Sequence, residues 1–206
     1  MGRTQWAAAA LLALFAGRAL HAAAVKSATY DEAFNIAIGT AVLKAGDWRL
    51  RLTKPTLSMT LQALPHLVSG LRFPGFDPAW RPNDVRPFGL HLLHRNRISP
   101  GRILLLSRCV SLALALGLGW LVFLTARRWA GDAAGLWALG FYSFSPDILA
   151  HAALATEDLP VAAFVFAAAV AFGDWLARPS PLSGARWGAA AACAAMSKFS
   201  CLLVLP

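Results

Sequence analysis

Apolar runs about as long as a bilayer is thick, broken by compact arginine clusters, constrain this chain more than any other feature. Residues 6–25, 103–126, 133–149, 159–177 and 187–206 are each dominated by Ala, Leu, Val and Phe. A helix needs about 20 apolar residues to cross the hydrocarbon core. A water-soluble helix of that length carries a polar face, and these runs mostly lack one. Composition agrees: 58% of the residues are hydrophobic and 14% charged, against roughly half and a quarter in soluble domains. The sequence therefore predicts an all-α, polytopic membrane protein with spans at those five ranges.

Two features of the spans bear on topology. Arg3, an apolar core and Ala22-Ala23-Ala24 also read as a cleavable signal peptide. We read 6–25 as an uncleaved helix because further spans follow it, and the next loop is exported in either case. Arg18 interrupts this run, at a cost unless it faces protein, water or a headgroup. If the spans alternate, Arg3, Arg127-Arg128, and Arg178 with Arg186 share one side. These are the short-loop positives, so that side is expected to be cytoplasmic. Loops 26–102 and 151–158 then face outward, and the location expected is the inner (plasma) membrane, with the first loop periplasmic or extracellular. The basic character of the long loop does not oppose this, because long loops translocate largely regardless of charge.

A net charge of +9 invites a nucleic-acid reading. No basic helix, zinc finger or RNA-binding aromatic motif supports it, so no nucleic-acid partner is expected. Cys109, Cys193 and Cys201 fall in apolar runs with no CxxC pair, as buried thiols do. His91 and His94 have a helical metal spacing but no third ligand nearby, and read as surface histidines. Gly117 and Gly119 read as packing residues, and no Walker, Rossmann or GxSxG pattern is present.

The loop 26–102 is not low-complexity. Phe34, Ile38, Ala41, Val42 and Ala45 recur at helical steps over 31–45, and Gly46 marks the stop. Leu57, Leu61, Leu64, Leu67, Val68 and Leu71 predict a second helix over 56–71, kinked at Pro65. Both are expected to be amphipathic surface helices lying along the membrane. Prolines and scattered arginines over 73–100 predict irregular structure.

The residues best placed for chemistry are Tyr30-Asp31-Glu32, Gly46-Asp47-Trp48 and Thr53-Lys54-Pro55. A carboxylate at the membrane face can accept a proton from an attacking hydroxyl, and a lysine can offset charge on a phosphate leaving group. A structural reading stands beside this one. Thr29-x-x-Glu32 is a capping-box pattern, and Asp31 would complement the helix dipole. Lys198, inside the last apolar run, is either functional or snorkelling to an interface.

The order Tyr-Asp-Glu, short helix, Gly-Asp-Trp, Lys-Pro and apolar helix resembles the first external loop of GT-C-type glycosyltransferases. It is most similar to the bacterial relatives of protein O-mannosyltransferases and of the aminoarabinose transferase that modifies lipid A. Later segments agree with the resemblance: Arg127-Arg128-Trp129-Ala130-Gly131 as the basic turn before the third helix, Ser145-Pro146, His151 and Thr156-Glu157-Asp158-Leu159-Pro160 as the second external turn, and Ser197-Lys198-Phe199 through Pro206 as the closing segment. The resemblance implies that residues 1–206 are the N-terminal part of a GT-C-like transmembrane domain. It implies transfer of a sugar from a polyprenyl-phosphate carrier to an acceptor at the outer membrane face, with the bilayer and the lipid-linked sugar as partners. Asp31 matches the family's catalytic aspartate. Lys54 matches a lysine that contacts the lipid phosphate, and Asp158 a second acidic position at the same cavity. Glu32 joins Lys54 and Asp158 as a substrate-binding candidate. No cofactor is required by the sequence, and a divalent metal is compatible with it.

There are departures from the family pattern. Phe34 and Asn35 stand where many relatives have a histidine, and Pro55 is followed by Thr56 rather than a second proline. GT-C enzymes usually have about twice as many spans, so the chain reads as a fragment that is inactive alone. A rival reading is a non-enzymatic membrane protein, a transporter fragment or assembly partner, with Arg18 and Lys198 lining a path.

Overall fold

The computed structural model describes residues 2–204, except 52, 53, 76, 79 and 81–83. Thr53 and Pro206, both part of the motifs above, lie outside the described residues. Every regular element among them is helical: α1 (Arg3–Val25), α2 (Glu32–Ala45), α3 (Leu57–Ala63), α4 (Val85–His94), α5 (Pro100–Phe144), α6 (Pro146–Ala152), α7 (Asp158–Ala177) and α8 (Pro181–Ala195). Helices α1, α5 and α7 are long and apolar enough to cross a membrane, and only about a fifth of the residues in the apolar stretches of α1 and α7 are buried within the chain. Trp137 and Phe141 on α5 are 70% and 75% exposed. Contiguous apolar surface of that kind is tolerated in lipid, not in water. The chain is a helical membrane protein.

Helix α5 runs for 45 residues, far more than one crossing needs. It breaks where the sequence predicts a turn: Ala130 and Gly131 leave helical geometry, and Gly131 takes φ 84°, a conformation natural to glycine. The expected span 133–149 is interrupted by Pro146, which starts α6 behind an Ser145 cap whose Oγ accepts the Ile148 N–H. The last expected span differs more. Helix α8 begins at Pro181, behind a Ser180 cap, and ends at Ala195. Lys198 therefore lies beyond this helix, in extended backbone before a short 3-10 turn over Phe199–Leu203.

Two cores hold the chain together. In the first, α1 lies along α5, burying Ala8, Phe15, Ala19 and Ala23. Phe15 meets the Tyr142 ring at 5.5 Å, and the Tyr142 hydroxyl donates to Ala115 O at 2.7 Å. Arg18 stacks over Phe144 at 5.6 Å, giving its charge a protein partner. The second core belongs to the first loop. Helix α2 starts and stops as the sequence predicts, with Gly46 at φ 61° ending it. It is not a surface helix, because residues on all sides of its first three turns, from Glu32 to Ala41, are buried. Helices α3 and α4 enclose it, and glycines permit their close approach. A Cβ on Gly39 would sit 2.0 Å from Met59 O, and one on Gly89 2.8 Å from Ala33 O.

The second loop helix is shorter than its apolar stripe. Helix α3 ends at Ala63 and tightens into a 3-10 turn, Leu64–Leu67, that contains Pro65. This geometry swings His66 inward to full burial. Its ring nitrogens meet Ser69 Oγ at 3.2 Å and Ser107 Oγ at 2.9 Å. Within the proline-rich stretch 73–100, residues 85–94 form α4, with Pro87 confined to its first turn, where no intrahelical donor is lost. Phe73, Trp80 and Phe88 pack ring on ring beneath it.

Candidate functional site

The two ends of the bundle are chemically different. At one end Thr4 donates to Asp132, Arg127 pairs with Asp132, and Arg128 pairs with Asp174. The chain's N-terminus, the 127–132 break and the end of α7 therefore share that end. At the other end the first loop docks on the turn between α6 and α7.

The docking point is a buried ion pair. Arg108 of α5 is 1% exposed and Glu32 fully buried. The guanidinium grips the carboxylate side-on: Nε donates to Oε1 and Nη2 to Oε2, both at 2.7 Å. Its remaining N–H groups reach Ala23 O, Lys26 O and Ser27 O at 2.7–2.8 Å. No guanidinium donor is left over. Glu32 also accepts the Ala155 N–H at 2.9 Å, the Thr29 N–H at 2.9 Å and the Thr29 hydroxyl at 3.0 Å. The Glu32–Arg108 pair thus fastens the end of α1, the start of α2, α5 and the 153–157 turn. Burial pushes the Glu32 pKa up, but the hydrogen bonds from Arg108, Ala155 and Thr29 outweigh it and hold the carboxyl below its ordinary range.

Only half of the expected capping box is present. The Thr29 N–H does reach Glu32, but the Thr29 hydroxyl donates to the carboxylate instead of accepting from the helix. The dominant partner, Arg108, is 76 residues away. Glu32 offers no free oxygen lone pair to a substrate, and the structure gives it a scaffold position.

Asp31, one residue earlier, is exposed, and its carboxylate has no hydrogen-bond or ion-pair partner among the described residues. Its backbone is carried to the 153–157 turn by Glu32 and by Asn35, whose amide donates to Ala155 O at 3.3 Å. That turn leads straight into Glu157 and Asp158 at the start of α7. Lys54 Nζ meets Glu157 Oε1 at 2.9 Å. Lys198 Nζ meets Asp158 Oδ1 at 2.7 Å, and His151 Nδ1 lies 3.7 Å from Asp158 Oδ2. Two consecutive carboxylates therefore hold lysines from different segments. Backbone contacts fix those segments: Leu57 N–H donates to Met196 O at 2.9 Å, and the Gln62 amide bridges Thr156 O at 2.7 Å and Ser111 Oγ at 2.9 Å.

Lys198 links the cluster electrostatically. Its hydrogen bond to Asp158 raises its pKa, and the nearby charges of Glu157 and Asp31 push the same way. The sequence candidates Asp31, Lys54 and Asp158 thus share one end of the bundle with Glu157, Lys198 and His151. Asp47 does not join them. It sits at the far end of α2, about 20 Å from Asp31 by helix rise, and pairs with Arg49 at 2.6 Å. His91 pairs with Asp77 at 2.7 Å, and no group of three metal-ligating side chains occurs among the described residues.

Two residues at this end of the bundle carry weaker sequence signals. Glu157 stands beside Asp158 in the same motif. Arg108 was visible as a charge near the end of an apolar run, and a buried charge requires a partner. No family profile, curated protein or solved structure matches the chain.

Proposed function

We propose that this chain is a sugar-transferase module acting on a polyprenyl-phosphate donor at the outer membrane face, with the Asp31–Lys54–Asp158 end of the bundle as its site. The observation that carries the reading is the pairing of consecutive Glu157 and Asp158 with Lys54 and Lys198, beside the unpaired carboxylate of Asp31. In this mechanism Asp31 takes the proton of an acceptor hydroxyl as its oxygen attacks the anomeric carbon. The bond from that carbon to the phosphate oxygen breaks, its electrons stay on the phosphate, and configuration inverts. Lys54 and Lys198, each about half exposed, can turn toward the leaving phosphate and offset its charge. Glu157 and Asp158 hold the lysines in place before the lipid arrives. Glu32 and Arg108 position Asp31.

The transporter reading loses one support. It needs charge along the middle of the helices, and Lys198 lies outside α8, at the bundle end. In this account the arginine-rich end is cytoplasmic and the Asp31 end periplasmic or extracellular. The test is a transfer assay on membranes carrying the full-length protein, given a polyprenyl-phosphate sugar labelled in the sugar. Label is expected to move to a second acceptor, and Lys54→Ala is expected to weaken use of the donor. No transfer to any acceptor fraction would contradict the proposal.

A further inference from the structure

At the opposite end of the bundle, the hairpin of α7 and α8 encloses a cavity of about 510 Å³ that the reaction above does not use. Its walls carry Arg128, Arg178 and Arg186, with Asp174 as the single carboxylate and Ser180 and Ser183 at the start of α8. Asp174 is taken by Arg128 at 2.5 Å. Among the described residues neither Arg178 nor Arg186 has a carboxylate partner. The cavity therefore holds two uncompensated guanidinium groups, each a planar fork that matches phosphate oxygens. Its volume falls in the range of ordinary small-ligand sites.

The position of the cavity narrows the ligand. Helix α7 has 20 residues, which puts the cavity about 30 Å from Asp158, the thickness of a hydrocarbon core. Trp175 and Trp187 stack at 5.3 Å beside it, with Phe172 against Trp187 at 5.2 Å. Such an aromatic group marks the headgroup level of a membrane. Leu176 and Leu182 are 60% and 62% exposed, and Leu182 forms part of the wall. A ligand here meets arginines at its phosphate and leucines at its tail.

We propose that this cavity binds the phosphate of an anionic phospholipid, with Arg178 and Arg186 on the phosphate oxygens and Leu176 and Leu182 along the acyl chains. Asp174 limits the affinity by occupying Arg128. The proposal is independent of the transferase reading, because none of these residues takes part in that reaction.

The test is native mass spectrometry of the full chain released from micelles containing equal amounts of phosphatidylglycerol and phosphatidylcholine. Phosphatidylglycerol is expected to be retained preferentially. The double variant Arg178→Ala/Arg186→Ala is expected to lose about 30-fold in its affinity, at the increment typical of basic residues near anionic lipid. Asp174→Asn frees Arg128 and is expected to tighten binding by about fivefold on the same scale. A damaged fold cannot produce that gain, so the variant tests the site even if the double variant inserts poorly. Equal retention of the two lipids, or no gain in Asp174→Asn, would overturn the proposal. Displacement of the lipid by millimolar glycerol phosphate would also overturn it, because the cavity would then be reading a soluble phosphate.

Discussion

Replacing Glu32 by Gln tests the account of the loop's anchorage. The side chain keeps its shape, so packing is preserved and the effect is electrostatic. In the native site both oxygens of Glu32 accept: from Arg108 on one edge, and from the Ala155 N–H, the Thr29 N–H and the Thr29 hydroxyl on the other. A glutamine has one oxygen and one NH₂. Either orientation sets that NH₂ against an Arg108 N–H and a backbone N–H, and Arg108 loses its counter-charge at 1% exposure. Removing one partner of a buried, hydrogen-bonded ion pair costs about 3–5 kcal/mol. Loss of a helix cap alone costs about 0.5–2 kcal/mol. Thermal or denaturant unfolding of the purified protein in detergent separates the two. The double variant Glu32→Leu/Arg108→Leu is expected to recover only part of the loss. It removes both charges but strands the carbonyls of Ala23, Lys26 and Ser27 and the Ala155 N–H. A cost for Glu32→Gln within the cap range, or full recovery in the double variant, would refute the argument.

The remaining predictions concern pH, packing and topology. Burial, with Lys44 nearby, lowers the His66 pKa to about 4, so the folded protein holds the ring neutral while the unfolded chain protonates near pH 6.5. Stability is then full above about pH 6.5, falls by up to about 3 kcal/mol as pH drops toward 4, and levels below it. His66→Asn should flatten this part of the stability–pH curve, and an unchanged curve would count against a buried neutral ring. Gly39→Ala drives a Cβ into the Met59 carbonyl and is expected to cost about 3 kcal/mol or more by overpacking. Gly188→Ala has open space around it and should stabilise α8 by about 0.5–1 kcal/mol. Equal unfolding midpoints for these two variants would contradict the close approach of α2 and α3. Single cysteines at Asp84 and Ser183, in a background lacking the native thiols, should react from the outer and the cytoplasmic side respectively. Labelling of Ser183 but not Asp84 from outside would invert the topology.

What the sequence made legible was mostly local. The bounds of α2 followed from helical periodicity and Gly46, and the break in α5 from the basic turn ending in Gly131. The long apolar helices α1, α5 and α7 follow from the length and placement of the apolar runs, whereas the expected run 187–206 yields only the shorter α8. The interior of the first loop was harder to read. An apolar stripe on α2 looks the same whether its other face meets water or packs against glycine-bearing neighbours, so its burial depended on α3 and α4. Helix α4 was hidden by prolines that fall before it or in its first turn, where they do no harm. Motif order alone nominates Asp31, Lys54 and Asp158, which the fold places at one end of the bundle. It does not point to Arg108 as the partner of Glu32, because pairing across 76 residues leaves no local pattern. The run 187–206 stays apolar past Ala195, so its pattern carries a helix through Lys198, but the helix stops at Ala195.

The central claim is that Asp31 is the proton acceptor in sugar transfer, and Asp31→Asn in the full-length protein tests it most directly. The side chain is exposed and unpaired, so the substitution leaves the fold and membrane insertion intact. Initial rates of label transfer from the polyprenyl-phosphate sugar, at saturating donor, are expected to fall by about 10²–10⁴-fold, the usual contribution of a general base. Wild-type rates in Asp31→Asn, in a protein that is inserted and unfolds normally, would contradict the account.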